Sequence, residues 1–147
     1  MIVKPTILLV EDSQVQKLAN EQILTRAGYL VLLAGDGEDA LRLAREARPD
    51  LILLDMILPK LSGSEVLQAL KRDTATAAVP VIVLSQLSRA DETKAKVEGA
   101  AGYFEKSKLA GGVVGEEQLI RLIKKILRES PGSGIPAAQT AVATHSW

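Results

Sequence analysis

A chain of 147 residues is long enough for one domain of ordinary size and too short for two. Apolar residues make up 47% and charged residues 24%, which excludes a wholly disordered chain. Lys plus Arg and Asp plus Glu are each 18, so the basic excess that serves nucleic-acid backbones or anionic membranes is missing, and neither is expected as a partner.

There is no Cys, and the one His, His145, falls in the C-terminal tail. Disulfides, thiolate nucleophiles, Cys- or His-based zinc sites and a His-containing triad are thereby excluded. No stretch approaches the roughly 18 apolar residues of a membrane span. The short run Ile7–Val10 ends in Glu11-Asp12, without the charge pattern or cleavage site of a signal peptide. A cytoplasmic domain is expected.

Five short apolar runs follow one another: Ile7–Val10, Tyr29–Ala34, Leu51–Leu54, Val79–Leu84 and Ala101–Phe104. Four are rich in Val, Ile or Leu and do not alternate with polar residues, the pattern of strands buried on both faces of a parallel sheet. Helical spacing fills the gaps. Val15, Leu18, Ala19, Ile23 and Ala27 step by three and four, with Ser13 as the candidate N-cap and Gly28 as the stop. Ala40, Leu41, Ala44 and Ala47 repeat the spacing before Pro49, and Val66, Leu67 and Leu70 do so after the Ser62-Gly63-Ser64 turn. Ser88–Glu98 offers only Ala90, Ala95 and Val97 for burial, so it reads either as a weakly held moving part or as an ordinary exposed helix. Lys108–Gly115, with three glycines, reads as a loop before a strongly amphipathic last helix built on Leu119, Leu122, Ile123, Ile126 and Leu127. From Ser130 to Trp147 the composition turns to Pro, Gly, Ser, Ala and Thr, so residues 1–129 are expected to fold and 130–147 to form a disordered tail or a shortened linker. Strand–helix alternation predicts an α/β fold, a doubly wound five-stranded parallel sheet with helices on both faces.

In an open parallel sheet, ligands bind beyond the carboxyl ends of the strands. There the chain places Glu11 and Asp12 after the first run, Asp55 after the third, Ser85 after the fourth and Lys106 just after the fifth. Singly, each has an ordinary explanation: Asp12 or Ser13 as a helix cap, Asp55 as a strand terminator, Ser85 as a satisfied hydroxyl, Lys106 as a solvated charge. Jointly, four strand ends out of five carry reactive groups. Three crowded carboxylates repel unless a cation joins them, and oxygen-only ligands favour Mg2+ over zinc. Mg2+ takes one or two carboxylates and a phosphate oxygen, which leaves Asp55 free to act as a nucleophile on phosphorus. Lys106 would neutralise phosphoryl oxygens and Ser85 donate a hydrogen bond.

These residues resemble the receiver domain of two-component response regulators, of the chemotaxis type. The resemblance runs from about Thr6 to Glu129. It rests on Ile7-Leu8-Leu9-Val10-Glu11-Asp12, on Pro49-Asp50-Leu51-Ile52-Leu53-Leu54-Asp55 with Pro59 and Gly63 following, on Val81-Ile82-Val83-Leu84-Ser85 and on Gly102-Tyr103-Phe104-Glu105-Lys106. It implies a flavodoxin-like strand order 2-1-3-4-5, for which such a receiver is the standard example. It also implies Asp55 as acceptor of a phosphoryl group from a histidine kinase or phosphotransfer protein. Asp12 would bind Mg2+ directly, Glu11 through water, with Asp55 and the Ile57 backbone carbonyl completing the protein ligands. Ser85 and Tyr103 would be the switch pair, with output by protein–protein contact through the face of helix four, strand five and helix five. A homodimer through that face is compatible with the sequence.

Three departures stand out. Ser107 follows Lys106 where the family usually has a cis proline; a non-proline cis bond costs about 2.5–4 kcal/mol, so the loop is either strained or trans. Gln86 follows Ser85 where a small residue is usual, and narrows access to the phosphoryl group. Ile57 and Leu87 put apolar groups where polar ones assist an attacking water, which predicts a long-lived aspartyl phosphate. Two other classes remain open: a phosphorylation-independent scaffold with a relic acidic set, and a flavin-binding or phosphatase-type α/β enzyme, against which Ile57 stands where a phosphatase wants a second acid.

Overall fold

The structure, a computed structural model, describes residues 3–86 and 89–130, with side chains for all of these but 89–91. The elements run β1 (Thr6–Val10), α1 (Gln14–Arg26), β2 (Leu30–Ala34), α2 (Gly37–Ala47), β3 (Leu51–Asp55), α3 (Gly63–Arg72), β4 (Val81–Ser85), α4 (Arg89–Val97), β5 (Gly102–Glu105) and α5 (Val113–Glu129). A 3-10 helix, Lys106–Gly111, joins β5 to α5. All five strands are parallel in the order β2-β1-β3-β4-β5, so the expected strand order holds.

Side-chain alternation sorts the core into two layers. Ile7, Leu9, Leu51, Leu53, Ile82, Leu84 and Phe104 point to one face, where Leu24 of α1 and Leu119, Ile123, Ile126 and Leu127 of α5 cover them. Leu8, Val10, Ile52, Leu54, Val81 and Val83 point to the other, beneath Ala40 and Ala44 of α2, Val66, Leu67 and Leu70 of α3, and Ala95 of α4. The non-alternating runs in β1, β3 and β4 are thus the consequence of burial on both sides. Register aligns the strand ends: Val10 pairs with Leu54, Asp55 with Leu84 and Ser85 with Glu105.

The caps fix where the helices begin. Ser13 accepts the Gln16 amide at 3.3 Å and so caps α1, which leaves Asp12 outside the capping role. Asp36 caps α2 through the Asp39 amide at 2.8 Å, a function for the Gly35-Asp36-Gly37 turn. Ser62 and Glu65 form a capping box at α3. The far end of α4 closes with Gly99 at φ +100°, and the Ser64 hydroxyl meets both carboxylate oxygens of Glu98, at 2.7 and 2.6 Å.

Several expectations are corrected. On α1, Val15 and Leu18 are exposed at 80% and 57%, while Asn20 and Leu24 are buried. Leu24 alone carries the helix's apolar weight into the core, and the stripe that contains it carries Asn20 one turn earlier. β2 is not buried on both faces: as the sheet's edge it leaves Leu30 and Leu33 exposed. Val97 of α4 is likewise exposed, so Ala95 is its one buried apolar residue among those described. The segment Lys108–Gly115 is not a loop but the end of the 3-10 helix and the first turn of α5, parted by Gly112 at φ +81°. No peptide bond among the described residues is cis, so Lys106–Ser107 is trans. The expectations for Leu87, for Ser88 as the start of α4 and for the tail beyond Ser130 lie outside the described residues.

Candidate functional site

Five groups foreseen in the sequence come together at the carboxyl edge of the sheet. Asp55 is the last residue of β3 and is 3% exposed; Glu11, one residue past β1, is 1% exposed. The Lys106 ammonium reaches both, 2.9 Å from Asp55 Oδ2 and 3.0 Å from Glu11 Oε1. Each of these carboxylates keeps a second oxygen for a backbone amide: Ile57 N–H donates to Asp55 Oδ1 at 3.1 Å, and Ser13 N–H to Glu11 Oε2 at 3.3 Å. Asp12 stands exposed beside them, and one oxygen from each of Glu11, Asp12 and Asp55 lies within 4.8 Å of the others.

The backbone around Asp55 is pinned from two sides. Met56 N–H donates to the Leu84 carbonyl, and Gly63 N–H donates to the Met56 carbonyl. Gly63 is required by space: a Cβ there would lie 2.6 Å from the Asp55 carbonyl oxygen. Ser85 ends β4 next to β3 and is 3% exposed. Tyr103 of β5 is half-buried against the α2–α3–α4 layer. Ile57 is 63% exposed at the rim, and Gln86 is exposed beside Lys106, lining a cavity of about 660 Å³ between α1 and the 3-10 helix.

Electrostatics follow from this crowding. Burial pushes the Glu11 carboxyl above its ordinary range, and closeness to Asp55 adds to that, while Lys106 pulls the other way. Burial alone would weaken the Lys106 ammonium, but its hydrogen bonds and charge pairing with Asp55 and Glu11 outweigh it, and its pKa is raised. Lys106 is thus a firmly charged group between two carboxylates. A trans peptide at Ser107 does not stop its side chain from reaching the site.

The acidic set fits a hard divalent ion. The donors are all carboxylate oxygens, two buried and one open to solvent, and the nearby ammonium tells of a site that requires positive charge. Ile57 places its backbone at the same edge, two residues past Asp55. Sequence reasoning missed two contributors. The Ser64–Glu98 contact needed the relative placement of α3 and α4. The close approach of Gly115 to the Lys108 backbone was hidden because a glycine cluster signals a loop.

Comparisons agree with the geometry. Residues 7–111 match the response regulator receiver domain model. Protein PilH of Pseudomonas aeruginosa is 34% identical over 122 residues, covering 82% of this chain and 96% of that protein. The polar-differentiation response regulator DivK of Brucella anthropi is 35% identical over 102 residues, 69% of this chain and 83% of that one. The receiver domain of the Pseudomonas aeruginosa sensor histidine kinase PA1611, solved with a magnesium ion in its active-site cleft, superposes with a TM-score of 0.74 at 29% identity over 85% of this chain and 98% of that one. The 2-1-3-4-5 sheet and the acidic cluster at its carboxyl edge are in keeping with that match. The chain belongs to the response regulator receiver domains, phosphoacceptor signalling modules of two-component systems rather than enzymes of the flavin or phosphatase kind.

Proposed function

We propose that the chain is a phosphorylation-controlled switch in which Asp55 accepts a phosphoryl group from a phosphohistidine of a sensor kinase or phosphotransfer protein in the cytoplasm. The observation that carries this reading is the Lys106 ammonium held 2.9 Å from a buried carboxylate at the end of the central strand. An Asp55 carboxylate oxygen attacks phosphorus, the P–N bond breaks, and its electron pair leaves with the imidazole. Mg2+, when held by Glu11, Asp12, Asp55 and the Ile57 carbonyl, supplies charge neutralisation at the phosphoryl oxygens. Lys106 turns from the free carboxylate to the phosphoryl group, and Ser85 donates a hydrogen bond to it.

The readout is a two-state equilibrium. Ser85 drawn toward the phosphoryl group leaves space beside β5, and the Tyr103 ring moves into it. The surface of α4, β5 and α5 then repacks and meets a downstream protein. Shifting such an equilibrium from 1:99 to 99:1 takes about 5.5 kcal/mol of differential binding. The thin anchoring of α4, with Ala95 as its buried apolar residue among those described, supports placing the moving part there.

The test is intact mass of wild type and Asp55→Asn after incubation with acetyl phosphate, with and without Mg2+. A gain of one phosphoryl group that requires Mg2+ and disappears in Asp55→Asn is expected. No gain, from acetyl phosphate or from a phosphorylated kinase, would favour the phosphorylation-independent scaffold.

A further inference from the structure

The segment that carries Lys106 has little of its own to hold it still. Lys106–Gly111 is a 3-10 helix of six residues, longer than the three or four that the poorer hydrogen-bond geometry of such helices usually allows. It contains no proline, has no side-chain cap and buries none of its residues fully; Leu109 is only partly buried. Yet the Lys106 ammonium stands at hydrogen-bond distance from two buried carboxylates.

What backs this segment is the first turn of α5. Gly112 joins the two helices at φ +81°, and Gly115 then meets the Lys108 carbonyl directly. A Cβ on Gly115 would fall inside the Lys108 carbonyl oxygen, 2.6 Å from its carbon and 3.3 Å from the Leu109 nitrogen. These are backbone atoms and cannot rotate aside. Gly115 is buried inside α5 and does not have a positive φ, so space rather than conformation demands glycine. In a helix, glycine without that demand is unfavourable. From the other side, the Lys108 ammonium lies 5.7 Å over the Phe104 ring.

We propose that Gly115 is the positioning residue for Lys106: by admitting the α5 backbone against Lys108, it sets the reach of the ammonium to Asp55. The inference rests on Asp55 as phosphoacceptor. A displacement of about 1 Å at a reacting group can slow a reaction by a hundredfold. An ammonium withdrawn from Glu11 and Asp55 also stops competing with a metal ion for the same oxygens.

The experiment uses the full chain as wild type, Gly115→Ala, Lys106→Ala and the double variant. Labelling of Asp55 by acetyl phosphate is followed by intact mass, Mg2+ affinity by titration, and folding by circular dichroism. Gly115→Ala is expected to fold, to label at least tenfold more slowly and to bind Mg2+ twofold or more tightly. In the Lys106→Ala background it should change neither by as much as twofold. Should Gly115→Ala not fold, Gly112→Ala, whose Cβ meets nothing within 4 Å but whose φ of +81° is lost, is expected to give the same pattern. A labelling rate within twofold of wild type overturns the proposal, as does weaker Mg2+ binding or an equal slowing without Lys106. If wild type takes no phosphoryl group, the phosphoacceptor reading fails. The Mg2+ difference then decides positioning by itself, tighter binding supporting it and unchanged binding overturning it.

Discussion

The Ser64 hydroxyl shares its proton between the two carboxylate oxygens of Glu98, at 2.7 and 2.6 Å, and so joins the first turn of α3 to the end of α4. Ser64 follows Gly63, whose amide holds the Met56 carbonyl beside Asp55. The end of α4 is therefore three residues of contact away from the acidic site. A hydrogen bond to a charged group contributes about 1.5–3 kcal/mol. Ser64→Ala should loosen α4 by about that amount, seen as faster amide exchange over Arg89–Val97 with little change in β1 and β3. Unchanged exchange in α4 would show that Ala95 and the Gly99 turn hold it unaided.

Glu11 gives stability a defined pH dependence. Its folded pKa is raised, by burial first, so between its ordinary and its raised value the native state binds more protons than the unfolded chain. Where the native state binds more protons, stability falls as pH rises. Glu11's contribution is fully present below the ordinary glutamate value of about 4.3 and is lost as pH rises through its raised value. Urea unfolding from pH 4 upward should show this decline in wild type, and Glu11→Gln should flatten it and raise stability at neutral pH. An identical pH profile in the variant would count against it.

If Asp55 is phosphorylated as proposed, Ile57 is expected to bear on how long that state lasts. Its side chain is 63% exposed at the rim, while its amide is already engaged with Asp55 Oδ1. A hydrocarbon there gives no hydrogen bond to an incoming water. Ile57→Asn should shorten the phosphoryl half-life several-fold, measured by loss of the added mass after removal of the phosphodonor. A longer half-life in the variant would point to Gln86 as the group that orients water.

Gly63 separates packing from chemistry less cleanly. Its missing Cβ is replaced by the Asp55 carbonyl oxygen and Met56 atoms, so Gly63→Ala forces the β3–α3 turn apart. Overpacking of this kind costs about 1–3 kcal/mol. A lower urea midpoint together with slower labelling of Asp55 is expected; loss of stability with wild-type labelling would mean that the turn yields away from the site.

Much of this architecture was legible because burial on both faces leaves a plain signature. β1, β3 and β4 read as unbroken apolar runs, and the groups that follow them could be assigned to one edge by topology. α1 misled because its buried stripe holds Asn20, whereas the apolar pair Val15 and Leu18 faces solvent. Periodicity finds a helix; it finds the right face only when the apolar residues are the buried ones. Gly115 misled for a related reason: glycine marks loops by its conformational freedom, but here it marks a place where two backbones touch. Lys106 was foreseen after β5, but that its ammonium would bridge Glu11 and Asp55 was not.

The site's partners are far apart along the chain: Lys106 lies 95 residues from Glu11 and 51 from Asp55. No hairpin, helix pair or single βα unit contains enough of it to bind or react. The carboxylates come from the middle of the sheet, and their cation arrives with an outer strand backed by the last helix. Until β5 docks and α5 seats behind it, the two buried acids face each other without an ammonium between them. The bridging of Glu11 and Asp55 by Lys106 is therefore a sign of complete assembly: a chain that has stopped short of its final helix carries both acids but, on the proposed reading of Asp55, not the arrangement that would make it an acceptor.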